Sequence, residues 1–252
     1  MVIKNYFMNY TEWEIYFQQN QTHFRDIDFR APDELTAKEK TIIYSSLQQF
    51  QRGENSEGKH LFAFAKNNPD PAYLRCISLF IREEQSHARV LGVFMDKHTI
   101  TRIKNHWVDG VFRWLRKLAG LENTIRVLLT AEIISKVYYV GLYNATNSSL
   151  LKKICSQILK DEDQHIAFQC DTLSPFYKKK TFIGKFFVRS WHFVLMTGTI
   201  LVVWLHHRKV LKKGEYSFLK FFKSTLQVFF ESEATIKRKD LPVITEKKIL
   251  SA

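Results

Sequence analysis

The sequence predicts an all-α protein organised around four long helices, and three observations carry that prediction. Breakers are scarce, with five prolines and nine glycines in 252 residues. Apolar residues recur at steps of three and four, and strict alternation by two is rare. Four segments keep the helical step long enough to line a shared core. The length suffices for one large domain with an appendage. The expected division is residues 1–180 for a bundle with an N-terminal helix, and 181–252 for a C-terminal helical extension.

A short aromatic helix is expected around "TEWEIYFQQN". "APDELTAKEK" then supplies a start signal, with Asp33 as N-cap, for a first long helix over about 34–66. Its inward seam reads Ile43, Leu47, Phe50, Glu54, Gly58, Leu61 and Ala65, so Glu54 stands where an apolar residue is expected. Glu57 is one turn on and less well centred. "NNPDP" breaks the chain before the second helix, which ends near Asp96 and carries Tyr73, Ile77, Phe80, Glu84, His87, Leu91 and Phe94 on one face.

A long connection over 97–120 contains its own apolar piece, "HWVDGVFRWLRKLAG". The third helix follows with the seam Leu121, Ile125, Leu128, Glu132, Ser135, Tyr139 and Leu142. After "NATNSS" the fourth runs to about Thr172, before "LSPFYKKK", with Glu162 and His165 between the apolar steps Leu151, Cys155, Ile158 and Phe168, Gln169.

Residues three apart on a helix share a face, so Glu84 with His87 and Glu162 with His165 can each converge on one point. Burying an unpaired carboxylate costs several kcal/mol, so these pairs require a cation or a buried hydrogen bond. The ligand order is Glu, Glu-x-x-His, Glu, Glu-x-x-His, and the intervals 54 to 84 and 132 to 162 are both 30, as though one helical hairpin were repeated. Four carboxylates balance two divalent ions, and two imidazoles complete the coordination. Oxygen-rich ligation with one nitrogen per ion suits iron or manganese rather than copper or structural zinc, and two irons are expected.

This constellation resembles the ferritin-like di-iron carboxylate superfamily, which includes rubrerythrins, ribonucleotide reductase small subunits and bacterial multicomponent monooxygenases. The likeness covers roughly residues 34–172. A long crossover between the second and third helices is the connectivity of that fold. "RGENSEGKHLFAFA" is similar to the first helix of rubrerythrin-type proteins, which favours Glu54 over Glu57. The resemblance implies metal ligation by Glu54, Glu84, His87, Glu132, Glu162 and His165. It also implies that the acid before each ligand supports the opposite histidine: Glu83 with His165, and Asp161 with His87. Otherwise Glu83 is a solvated charge beside Arg82. Tyr139, seven residues after Glu132 on the same face, either borders the metals and donates a hydrogen bond or an electron, or packs in the core with its hydroxyl satisfied. Gln169 is a weaker pocket candidate.

Lys and Arg number 38 against 25 Asp and Glu, a net charge of +13 that calls for an anionic partner. Membrane surface fits better than nucleic acid, since nothing resembles an RNA-recognition motif. Cys76, Cys155 and Cys170 have no CxxC spacing and read as core residues of a reduced, cytoplasmic protein. The N-terminus lacks the uninterrupted apolar core of a signal peptide. In the C-terminal extension, "FFVRSWHFVLMTGTILVVWLHHRKVLKK" holds an apolar run from Phe193 to Leu205, short of the roughly 20 residues of a full span. It is expected as a buried helix or homodimer face, or as a helix in the inner membrane surface through residues 186–213. His192, His206 and His207 read as interfacial or surface residues without a carboxylate partner at ligand spacing. An amphipathic helix, "YSFLKFFKSTLQVFFESEATIK", and a loose tail follow.

The expected function is a non-haem di-iron oxidoreductase that activates dioxygen or peroxide and hydroxylates or desaturates an organic substrate. Without a rubredoxin-type CxxC pair, electrons come from an external donor. The alternatives are a ferroxidase or iron-handling protein, and a basic membrane- or RNA-binding module with a structural metal site.

Overall fold

The computed structural model describes residues 7–55, 58–104 and 120–238, and among these the structure is helical with no strand. The helices are α1 (Tyr10–Gln19), α2 (Ala37–Glu54), α3 (Lys59–Ala65), α4 (Pro71–Lys97), α5 (Gly120–Ala145), α6 (Ser149–Lys178), α7 (Phe182–Lys213) and α8 (Phe218–Arg238). A 3-10 turn, Asn20–Thr22, follows α1. Local chemistry marks the starts: capping boxes at Asn9/Glu12 and Thr36/Glu39, Asp70 ahead of Pro71, and the hydroxyls of Ser148 and Thr181.

Four long helices close a ring around the core: α2 packs on α4, α4 on α6, α6 on α5, and α5 on α2. Their inward faces bury Ile43, Leu47, Ile77, Phe80, Leu91, Ile133, Leu142, Ile158 and Phe168. Helix α1 lies across α4 and is pinned to α6, where Asp171 accepts from Trp13 Nε1 at 2.9 Å and from the Met8 amide at 3.3 Å. Cys76, Cys155 and Cys170 are buried and are not joined in disulfides.

Three boundaries differ from the expected ones. The first long helix is split, because α2 ends at Glu54 and α3 begins only after Gly58, whose φ is +61°. A Cβ there would lie 2.4 Å from Ile81 Cδ1, so this crossing needs a glycine for both its conformation and its closeness. Asp33 is not the cap of α2; Thr36 is. Asp33 instead accepts from Ser148 Oγ at 2.6 Å and the Leu150 amide at 3.1 Å, and pairs with His98 at 2.9 Å. It thereby fastens this loop to the start of α6 and the end of α4. Helix α6 continues past Thr172, through Pro175, to Lys178. Proline removes one backbone donor there, and the burial of Leu173, Ser174 and Tyr177 keeps the chain helical around it.

The C-terminal helices are part of the same packed body: α7 lies on α5 and α2, and α8 on α6, α5 and α7. The surface reading of His192 and His207 is therefore corrected, while His206 is exposed. His192 meets Glu233 Oε1 through Nδ1 at 2.8 Å and Thr130 Oγ1 through Nε2 at 3.1 Å; buried Arg126 donates to the same Glu233 oxygen at 3.2 Å. His207 Nδ1 lies 2.8 Å from Ser46 Oγ, which is 2.8 Å from the Tyr138 hydroxyl. These partners come from other helices, so spacing along one segment could not reveal them. The apolar face of α7 is buried on one side only: Met196, Ile200, Val203 and Val210 face inward, while Phe187, Val194 and Leu205 are exposed.

Gly214, at the end of α7, touches the α5 backbone; a Cβ on it would fall 2.0 Å from the Gly141 carbonyl oxygen. Replacing it with alanine is expected to lower stability by about 1–3 kcal/mol, the usual cost of overpacking. Thermal unfolding followed by circular dichroism measures this, and an unchanged midpoint would contradict the contact.

Candidate metal centre

Glu54 is the last residue of α2; Glu84 and His87 lie one turn apart in α4; Glu132 is midway along α5; Glu162 and His165 repeat the one-turn pair in α6. The ring brings all six together in two overlapping sets. Glu54, Glu84, His87 and Glu162 each offer a ligand atom within 4.8 Å of the others, and so do Glu84, Glu132, Glu162 and His165. Glu84 and Glu162 belong to both sets. The halves correspond at a constant offset, since 132 minus 54, 162 minus 84 and 165 minus 87 all equal 78.

Outer carboxylates fix which imidazole nitrogen faces the cluster. His87 Nε2 lies 3.1 Å from Asp161 Oδ2, and His165 Nε2 lies 2.9 Å from Glu83 Oε2. Both hydrogen bonds implied by the resemblance are thus present, and Glu83 and Asp161 are buried rather than solvated. A neutral imidazole that donates from Nε2 turns the lone pair of Nδ1 inward. There, His165 Nδ1 lies 3.1 Å from Glu84 Oε1 and 3.5 Å from Glu132 Oε2, and His87 Nδ1 lies 3.6 Å from Glu84 Oε1.

Buried polar atoms normally find partners, and here a group of them does not. Glu84 Oε1, both oxygens of Glu162, and Nδ1 of His87 and His165 have no hydrogen-bond partner. All are potential ligand atoms directed at one small volume, and a donor set of that chemistry fits cations. Burial first, and a neighbouring carboxylate second, hold Glu54, Glu84 and Glu162 above the ordinary glutamate range. Burial opposes ionisation of His165, yet the close carboxylates of Glu132, Glu83 and Glu84 raise it well above an ordinary histidine. Burial also works against the Glu132 carboxylate, but His165, Glu162 and Gln169 together lower it. The cluster therefore keeps protons where free carboxylates would lose them, and two divalent ions could replace these protons.

Tyr139, read from sequence either as bordering the metals or as core packing with its hydroxyl satisfied, is fully buried and donates its hydroxyl to Glu54 Oε1 at 2.7 Å. Gln169 Nε2 holds Glu132 Oε1 in the same way at 3.0 Å. Ser135 is half-buried and is not in either ligand set, and Glu57 lies outside the described residues, as does most of the piece from His106 to Gly120.

Sequence reasoning missed the contribution of the N-terminal turn. Asn20 Nδ2 donates to Glu83 Oε1 at 2.6 Å and to Asp161 Oδ1 at 3.0 Å, and Gln157 adds a third donor to Asp161 at 2.9 Å. His23 Nε2 lies 3.6 Å from Asp161 Oδ2. His23, His87 and Asp161 form a further cluster of potential ligands, but His87 and Asp161 already engage each other through the facing atoms, so it reads as outer support. Asn20 and His23 sit in and just after a non-periodic turn, where no spacing signal points to them.

Phe17, Phe80 and Phe168 wall the His165 side, with the Phe80 ring 4.7 Å from the imidazole in an edge contact. A cavity of about 10 Å³, room for one water-sized molecule, lies beside them between Leu61, Ile77, Ile125, Phe168 and Gln169. Glu84 is the most open ligand, its side chain 17 % exposed. Searches of family models, curated proteins and solved structures return no match to this chain.

Because Glu162 is shared by both sets and Glu54 belongs to one, Glu162→Ala is expected to remove both bound ions and Glu54→Ala about one of two. Metal analysis of purified, folded variants reads this, and equal losses would contradict the sharing. The protonation pattern sets a second expectation for metal-free protein. Glu54, Glu84, Glu162 and His165 have raised folded pKa values, so the stability they contribute is present below their unfolded values and lost as pH rises. Glu132 and Asp161, whose values are lowered, act in the opposite sense only below about pH 5, and His192, also lowered, opposes the trend as a single group. The unfolding midpoint of metal-free protein should fall between about pH 5 and pH 8, and the gain on adding a divalent ion should widen. Calorimetry of both forms checks this; a metal-free midpoint that climbs over that range would contradict it.

Proposed function

We propose that this chain is a ferritin-like di-iron carboxylate oxidoreductase that activates dioxygen or peroxide. One observation carries the reading: two ligand sets, each with one imidazole and one carboxylate of its own, share two further carboxylates. That arrangement suits a pair of ions. Glu54 with His87 would hold one and Glu132 with His165 the other, and Glu84 and Glu162 would be available to both. The hard oxygen set with one nitrogen per ion favours iron, and equally accommodates manganese in one or both positions. Iron bound there would supply the electrons that reduce the oxidant.

The remaining work falls to the protein. Glu83 and Asp161 hold the imidazoles in the ligating tautomer, and Tyr139 and Gln169 fix the unshared carboxylates. The Tyr139 hydroxyl is the nearest neutral proton donor on the Glu54 side. Phe17, Phe80 and Phe168 exclude bulk water beside His165.

The small cavity favours an oxidant-sized guest over an organic molecule at the His165 side. It therefore gives specific support to a second reading, a ferroxidase or peroxide-reducing centre with no organic substrate. A hydroxylated or desaturated substrate would approach on the more open Glu84 side.

Anaerobic purification, metal analysis and optical spectra on addition of oxygen test the proposal. About two irons per chain and a new near-ultraviolet absorption on oxygenation are expected. Two tightly bound zinc ions with no response to ferrous iron and oxygen would sink it. Tyr139→Phe should retain both ions and slow the oxygen reaction; an unchanged rate would remove the tyrosine from the chemistry.

A further inference from the structure

We infer that α7 seats this protein in the plane of an anionic lipid surface, its outward apolar stripe buried at the boundary of headgroups and acyl chains. Helix α7 is apolar around its whole circumference, and a helix of that kind needs burial on every side. The body of the protein covers only the side carrying His192, Met196, Ile200, Val203, His207 and Val210. On the other side Ile183, Phe187, Val194, Leu201 and Leu205 follow one another at steps of four and seven, each at least half exposed. At 1.5 Å per residue the stripe is about 33 Å long. Helix α8 widens it, where Phe230 stacks on Phe193 at 6.1 Å and is 51 % exposed.

Charge selects the occupant. Residues 182–213 contain no Asp or Glu, and none of residues 190–205 is Lys or Arg. Basic residues gather towards both ends: Lys178 and Lys179 before the stripe, Lys185 within its first turn, where Arg189 is paired with Glu233, and Arg208, Lys209, Lys212 and Lys213 after it. A second copy laid against this face would set basic clusters against basic clusters in parallel and antiparallel arrangements alike. Anionic headgroups complement both ends together, and the apolar centre enters the acyl boundary between them. Length and composition also permit a span, since α7 is the one described helix that qualifies. Crossing would carry the inward side, with His192 bonded to Glu233 and Arg126, into hydrocarbon, or tear it from α5 and α8. Lying in the plane keeps every one of these contacts.

The full chain should be tested by co-sedimentation with phosphatidylcholine vesicles and with vesicles containing phosphatidylserine. Binding is expected to the anionic vesicles, weaker with added salt. Leu201→Glu combined with Leu205→Glu should reduce binding at least tenfold while helicity and bound metal stay at wild-type levels. Neutralising Arg208, Lys209, Lys212 and Lys213 to Gln should weaken it about fivefold per charge, equivalent to about 1 kcal/mol each. Three results would overturn the proposal: no binding to anionic vesicles, a detergent-free dimer in sedimentation equilibrium that the Leu201/Leu205 variant dissociates, or membrane protein that resists both high salt and alkaline carbonate as a spanning helix does. Because the docking variants retain the metal cluster, failure here leaves the redox reading intact, and the converse also holds.

Discussion

Four clustered glutamates in one helical core, three buried and Glu84 mostly so, are the constraint on which this structure is built. Each uncompensated buried charge costs several kcal/mol, and a domain's whole stability is only about 5–15 kcal/mol. Four such charges left unneutralised would exceed it. Every nearby feature reduces that cost. Two imidazoles face the carboxylates, retained protons lower the net charge, and Tyr139 and Gln169 donate to Glu54 and Glu132. Asn20 and Gln157 satisfy the outer acids, which are themselves buried. The helices give rigid positions to these groups, and the aromatic wall keeps their dielectric surroundings low.

The internal repeat is close in ligands and unequal in surroundings. One terminal carboxylate is held by a phenol, the other by an amide. The outer acid is Glu83 on one side and Asp161 on the other, and only Asp161 receives the Gln157 amide. Phe80 lies edge-on against His165, whereas Phe24 stands farther from His87, at 5.9 Å. Two ions held here would differ in basicity of ligands and in hydration. An oxidant would therefore meet a polarised pair.

The legible part of the sequence was the part with a period. Inward seams placed Glu54 and Glu132, and one-turn pairs placed Glu84, His87, Glu162 and His165, because a helix converts spacing directly into direction. Helix ends were harder to read. Asp33 has the chemistry of an N-cap and is used as a tertiary anchor, while Pro175 has the chemistry of a breaker and is overridden by buried neighbours. The break between α2 and α3 depends on Ile81, which is distant in sequence from Gly58. His192 and His207 were misread for a related reason, since Glu233, Thr130 and Ser46 reach them from other helices. The covering of the outer acids by Asn20 and His23 left no trace in any local pattern.

That covering has a consequence for the order of events during synthesis. The turn after α1 leaves the ribosome well before some of its partners, since Asn20 bonds Asp161, 141 residues later, and Trp13 bonds Asp171, 158 residues later. The seat of α1 on α4 emerges early, but the part on α6 does not. At translation speeds of about 5–20 residues per second that part follows on the order of ten seconds later. Until then the turn can cover Glu83 alone, and the backs of both histidines close only as α6 enters the ring. Closure of this outer layer is thus tied to the arrival of the last ring helix.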